Sequence, residues 1–187
     1  DYLLIPKTSE IYKKKEDRSI KLYKKDKIMC SIKRPGHFEG VLAVINQFLS
    51  NIKPTHIFLG EKDYQQLFLI KKFVKKKFNI KVHQCTTVRS KNKIALSSRN
   101  IFLKQKDLKI SSNIAKLLLK YKNILQKNIK NKKRVKNFYN KINNMKNIKI
   151  DYLEIRNKVN LSKSFNKNNF KIFIAYYNNK IRLIDNF

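Results

Sequence analysis

Between Pro54 and Cys85 the chain follows an alternation that few architectures satisfy. His56-Ile57-Phe58-Leu59 is a short apolar run that stops at Gly60, and Ile80 to Cys85 is a second. Between them, Tyr64 to Lys77 spaces Leu67, Ile70 and Val74 as one face of a helix, and Lys71, Lys72, Lys75, Lys76 and Lys77 fall mostly on the wet side. Strand, helix and strand in this order form a βαβ unit, so the spacing predicts an α/β fold with a parallel sheet and crossover helices.

The flanking residues extend this reading. Leu3-Leu4-Ile5, ending at Pro6, reads as a short buried strand, and Ser19 to Lys25 as another, with Ile20, Leu22 and the Tyr23 ring turned inward. Lys13 to Asp17 reads as a solvated loop. Val41, Val44, Ile45, Phe48 and Leu49 recur at helical spacing from Phe38 to Leu49. After Arg99 the pattern changes. Ile110, Ile114, Leu117, Leu118, Tyr121 and Leu125 stripe a long helix, and Val135 to Met145 suggests another. Ile148 to Ile155, Phe170 to Tyr177 and Ile181 to Ile184 then read as strands, the last two forming a hairpin around Asn178-Asn179. Helices followed by a meander predict a separate small α+β domain, giving domains 1–99 and 100–187.

Charge bears on partners. Lys and Arg number 45 against 12 Asp and Glu, a net of +33, which points to nucleic acid or an anionic surface. The excess is nearly all Lys and accompanies many Asn and Ile with only 3 Gly, as drift towards A/T-rich codons also produces. Composition leaves both readings open. No apolar run reaches the ~18 residues of a membrane span, and no signal peptide opens the chain. Cys30 and Cys85 match no metal spacing, which reads as a reduced, cytoplasmic protein. The first residue is Asp1 rather than Met, so a piece of a longer chain is expected.

Two polar clusters could carry chemistry. Gly60-Glu61-Lys62-Asp63 lies where a parallel strand gives way to a helix, the edge at which open α/β sheets bind ligands. Gly60 admits a close approach, Lys62 offers a positive charge to phosphate, and Asp63 can accept from a ribose hydroxyl. The alternative is that Glu61 and Asp63 merely complement the helix dipole. Gln65 or Gln66 could face the same crevice. Leu96-Ser97-Ser98-Arg99, preceded by Arg89-Ser90-Lys91-Asn92-Lys93, suits a polyphosphate, or else Ser caps a short helix. His37, His56 and His83 read as structural, and no Ser/His/Asp order, metal-ligand motif or Walker loop appears.

Taken together, these motifs resemble the pantothenate synthetases, the pantoate–β-alanine ligases. The resemblance rests on Arg34-Pro35-Gly36-His37-Phe38, on Phe58 through Leu67, on Ala95-Leu96-Ser97-Ser98-Arg99-Asn100, on Asp151-Tyr152, and on Arg182 through Asn186. It covers essentially the whole chain. It implies a nucleotidyltransferase-type, Rossmann-like parallel sheet, incomplete at the N-terminus, followed by a small lid-like α+β domain. The implied reaction is ATP-dependent, with Mg2+ on the nucleotide: pantoate is adenylated, and the amine of β-alanine then displaces AMP.

The resemblance also assigns roles. Gly60, Glu61, Lys62, Asp63, Val88, Leu96, Ser97, Ser98 and Arg99 would bind ATP, Lys62 stabilising phosphate charge and Val88 acting through its backbone. Gln66 would hold pantoate. A cytoplasmic homodimer, with no membrane and no specific nucleic acid, is implied as well. Four departures stand out. The family's Met-Gly-x-Leu-His-x-Gly-His stretch, with its catalytic histidine, is absent, as is the first pantoate-binding Gln; Cys30 replaces a usual Glu; and Lys93 stands at a turn position that commonly holds Gly. The expectation is therefore a fragment that is inactive alone.

Overall fold

The structure is a computed structural model that describes residues 2–11 and 20–187, the side chains of 131–133 excepted. The expected loop at 13–17 lies outside the described residues. The chain forms two compact units, Asp1–Thr86 and Thr87–Phe187.

The first unit contains α1 (Thr8–Ile11), α2 (Cys30–Lys33), α3 (His37–Ile52), β1 (His56–Gly60), α4 (Tyr64–Lys77) and β2 (Lys81–Cys85). β1 and β2 pair in parallel, with Gly60 opposite Cys85, as a βαβ crossover requires. α3 presents Phe38, Leu42, Ala43 and Leu49 to the interior, and α4 presents Leu67, Leu69, Ile70 and Val74. Gly36 starts α3 with φ +79°, a left-handed conformation that a side chain at Cβ disfavours by about 1–2 kcal/mol. That constraint explains the glycine in Arg34-Pro35-Gly36-His37.

Two expected strands do not form. Leu3, Leu4 and Ile5 have no regular structure and are 86%, 62% and 81% exposed. A strand persists only with a ladder partner, and among the described residues none pairs with this segment. Residues 20–23 are likewise irregular, and Lys24–Asp26 make a 3-10 turn. Leu22 is buried there, but Tyr23 is exposed, its ring centroid 5.0 Å from the Lys72 ammonium. Lys76 donates to the Tyr23 hydroxyl at 3.1 Å, and that bond and charge hold the phenol below its usual range. Buried Asp26 pairs with Lys72. Local charge pairing, not a ladder, holds this stretch.

The second unit contains α5 (Gln105–Lys127), α6 (Val135–Asn143), β3 (Ile148–Asn157), β4 (Phe170–Asn178) and β5 (Ile181–Asn186). The sheet is antiparallel in the order β3-β4-β5. The β4–β5 hairpin turns at Asn179, whose φ of 54° suits Asn better than most residues. Ile114, Leu118, Tyr121 and Leu125 of α5 pack with Ile142 of α6 and with Ile172 and Ile174 of β4. Burying each such aliphatic side chain contributes roughly 1.5–3 kcal/mol. Tyr121 stacks on Phe138 at 4.1 Å, and burial pushes its phenol up to about 12.

The division of contacts falls at residue 87, whereas the sequence sets its domain boundary after Arg99. The intervening stretch is tied to β5: Arg89 pairs with Asp185, and Arg99 donates to the Arg182 carbonyl. Among the described residues no helix is long and apolar enough to cross a membrane.

Candidate nucleotide site

In the first unit, β1 ends at Gly60, residues 61–63 make one 3-10 turn, and Tyr64 begins α4. Gly60 has ordinary extended geometry, φ −69°, so no backbone strain requires a glycine here. A Cβ at this position would meet nothing within 4 Å, leaving room for close approach to the backbone. Asp63 precedes α4 without capping it, so the first N–H groups of a 14-residue helix lack a side-chain acceptor from that residue. The Lys62 ammonium lies 3.8 Å from an Asp63 carboxylate oxygen, the two side chains being 21% and 48% exposed. A cation, a carboxylate and the start of a 14-residue helix thus share one turn. Burial raises the Tyr64 phenol above its usual range, with a smaller push from Glu61.

The two glutamines part company. Gln65 is buried; its amide donates to the Ile28 carbonyl at 2.8 Å and its oxygen accepts from the Cys30 N–H at 3.1 Å. It bridges α4 to the turn before α2. Gln66, one position along the helix and half-buried, makes no such bridge. Adjacent residues on a helix point about 100° apart, so fixing Gln65 inward turns Gln66 away from that interior. Arg34 donates to Nε2 of His37 at 2.8 Å. A guanidinium has no acceptor, so this nitrogen carries no proton. His56 and His83 are not core residues: both are exposed, with His83 stacked on Phe58 at 4.7 Å and Phe58 itself 68% exposed.

In the second unit, Val88 and Leu96 are exposed, and their backbones meet through the Leu96 N–H and the Val88 carbonyl at 2.9 Å. Ser97 accepts from the Arg99 N–H at 3.3 Å and starts the 3-10 turn of residues 98–102, so the capping alternative describes Ser97 in this structure. Ser98 and Arg99 are exposed. The sequence missed Arg89 as more than a basic loop residue. It forms a two-pronged bond to Asp185 at 2.7 and 2.8 Å. The signal was present only as two distant motifs. Arg182 similarly pairs with Asp151 at 2.8 Å, joining the other two motif residues that sequence could name but not connect. Among the described residues no group of three or more His, Cys, Asp or Glu side chains gathers as a metal site.

The family profile described as pantoate-beta-alanine ligase matches residues 1–187. The chain belongs to this ligase family. The pantothenate synthetase of Fervidobacterium nodosum is 33% identical over 189 residues, spanning 100% of this chain and 67% of the relative. That of Clostridium botulinum strain Langeland is 35% identical over 190 residues, spanning 100% and 68%. The crystal structure of pantothenate synthetase from Thermus thermophilus superposes with TM-score 0.84 at 25% identity, over 97% of this chain and 67% of that one. The Francisella tularensis ligase, complexed with beta-gamma ATP and beta-alanine, superposes with TM-score 0.69 at 33% identity, over 90% and 56%. The expected nucleotidyltransferase-type α/β fold with a small α+β unit stands, and the chain spans about two thirds of the length of these ligases.

One departure from the family pattern now has a physical meaning. Lys93 adopts φ +69°, and its N–H closes a turn on the Ser90 carbonyl at 2.9 Å. Glycine reaches this conformation freely, whereas a lysine is strained there by about 1–2 kcal/mol. Lys93→Gly is expected to raise the stability of the second unit by up to about 1 kcal/mol, the added freedom of the unfolded chain offsetting part of the relief. Thermal or urea unfolding checks this; a loss of stability contradicts the strain.

Proposed function

We propose that this chain supplies the phosphate-facing part of a ligase that joins pantoate to β-alanine through pantoyl adenylate. The observation that carries the reading is the Gly60–Asp63 turn, with its open backbone, its lysine and the helix start that follows it at the carboxyl end of β1. Lys62 would neutralise oxygens of the α-phosphate as it crowds, Asp63 would accept from the ribose, Glu61 would border the nucleotide, and Gln66 would hold pantoate. Val88 would meet the nucleotide through its backbone, and Leu96 to Arg99 would close on the phosphates. The ATP and β-alanine held by the Francisella tularensis ligase support the choice of substrates.

In the first step a pantoate carboxylate oxygen bonds to the α-phosphorus as the bond to pyrophosphate breaks, and pyrophosphate leaves. In the second, the β-alanine amine bonds to the acyl carbon, the bond to AMP breaks, and the amine proton passes to solvent. Alignment and charge neutralisation are the protein's contributions. Residues 1–99 would belong to the adenylating domain and 100–187 to a lid, in a cytoplasmic homodimer. The test is pantoate-dependent exchange of pyrophosphate into ATP, with pantothenate formed on adding β-alanine, by this chain joined to the part of a family ligase that carries the Met-Gly-x-Leu-His-x-Gly-His stretch.

The net charge of +33 is the one feature that favours a different class, a nucleic-acid-binding module. Nearby groups engage several α4 lysines: Lys71 donates to Gln84, Lys76 to Tyr23 and Lys77 to Asn46. Filter binding across salt separates the readings, since phosphate neutralisation gives a steep log–log slope. Specific binding that survives physiological salt, without any exchange activity, overturns the ligase reading.

A further inference from the structure

We propose that Arg89 is a positioning residue that holds the Val88–Arg99 segment in its nucleotide-receiving shape before any ligand arrives. The proposal rests on the ligase reading of that segment. The Arg89 guanidinium grips both oxygens of Asp185, donates to the Asn186 carbonyl at 2.8 Å, and lies 4.5 Å from the Phe187 ring centroid. Its fourth partner is the Lys93 carbonyl at 3.0 Å, across the turn of its own loop. One side chain therefore fixes both the root and the tip of the loop.

The anchor is firm at the other end. Phe187 exchanges both backbone hydrogen bonds with Ile172 of β4, at 3.0 and 3.1 Å, so Asp185 to Phe187 cannot shift without opening the sheet. The Arg89 and Asp185 side chains are only 20% and 11% exposed, and a forked, charge-assisted pair so shielded is stronger than a surface pair. The loop needs such help. Its backbone is closed by single bonds at Ser90–Ile94, Lys93–Ser90 and Leu96–Val88, with Lys93 in the left-handed region between them, and side chains add only one bond each from Ser112 to the Asn92 carbonyl at 2.8 Å and from Asn100 to the Ala95 carbonyl at 3.0 Å. Arg99, at the far end, also reaches β5, but it is exposed and bonds one carbonyl at 3.1 Å. Arg99 can exchange that carbonyl for a phosphate oxygen at little cost. Arg89 cannot leave its carboxylate so freely. Arg89 is thus the fixed point and Arg99 the movable one.

The test compares Arg89→Met, Arg89→Lys and Asp185→Asn with the unaltered sequence, by amide exchange of the 187-residue chain and by titration with Mg·ATP, followed at the amides of residues 96–99, of the chain joined to the part of a family ligase that carries the Met-Gly-x-Leu-His-x-Gly-His stretch. Arg89→Met is expected to speed exchange over residues 90–98 on the order of tenfold or more, while the amides of α5 and β3 keep their rates. Half-saturation by Mg·ATP should rise on the order of tenfold. Asp185→Asn should match it, and Arg89→Lys should recover part of both effects, keeping the charge but losing the fork. Equal acceleration throughout the second unit, or an unchanged half-saturation, overturns the positioning role. Failure of Mg·ATP to perturb residues 96–99 of the unaltered joined form overturns the ligase reading of that segment instead, and is seen before any variant is made.

Discussion

Lys62→Ala, made in an exchange-competent form of the ligase, is expected to lower the rate of pyrophosphate exchange by about 10²–10³, equivalent to roughly 2.7–4 kcal/mol, the scale for deleting one preorganised stabiliser. The argument starts from the turn after β1. The Lys62 side chain is largely sheltered, and its counter-ion Asp63 lies at 3.8 Å, longer than a hydrogen bond. The ammonium sits in the same turn as the Gly60 backbone, where a phosphate could approach it. Charge on the α-phosphate crowds most in the transition state, so the loss should appear mainly in kcat rather than in KM for ATP. Gln66→Ala is the internal control, because it should raise KM for pantoate while sparing that for ATP. A Lys62→Ala enzyme whose kcat stays within a factor of two excludes the role given to this lysine.

Much of the architecture was legible because periodicity and punctuation agreed. The Tyr64–Lys77 helix and the strands around it follow from apolar spacing bounded by Pro54, Gly60 and Cys85, and the structure forms α4 over those same residues. α5 and the β4–β5 hairpin were equally plain, for the same reason. Leu3 to Ile5 misled because an apolar triplet signals burial only when something covers it. The strand expected over Ser19 to Lys25 misled because the described part, residues 20–26, is ordered by Asp26–Lys72 pairing across sequence, which no local window contains. At the candidate site, residue types and order were readable in both clusters. What linked them to the fold was not. The separate tasks of Gln65 and Gln66, the Arg89–Asp185 clamp and the Arg182–Asp151 pair all join residues far apart in the chain or depend on which way a side chain points. Lys93 is the intermediate case: its departure from glycine was visible, but the strain appears only with its φ of 69°.

The 187-residue chain, tested by itself, is expected to bind Mg·ATP weakly and to form no detectable pantoyl adenylate. The two units differ in how well they are covered. In the second, the middle strand β4 is buried along nearly all its length, with Ile172, Ile174 and Ala175 wholly inaccessible. In the first, β1 and β2 form a two-stranded parallel pair with one face open, where Phe58 is 68% exposed and His56 and His83 lie beside it. Parallel strands are ordinarily covered on both faces, and a two-stranded sheet is marginal alone. The carboxyl ends of these strands carry the Gly60–Asp63 turn, so the nucleotide would meet only the donors of that turn in this unit. The resemblance places the remaining donors, including a histidine, on the Met-Gly-x-Leu-His-x-Gly-His stretch, which these 187 residues do not contain. Supplying the part of a family ligase that carries that stretch, joined to the chain or added as a separate polypeptide, should restore exchange and protect Phe58 and its neighbours from solvent. The open face should also make the first unit the one that aggregates, while the second remains folded on heating. Calorimetric titration with Mg·ATP and pantoate, followed by mass detection of the adenylate, decides the matter. Tight binding together with adenylate formation by the chain alone refutes the expectation, because it shows that the Gly60–Asp63 turn and the Leu96–Arg99 segment suffice for the first step.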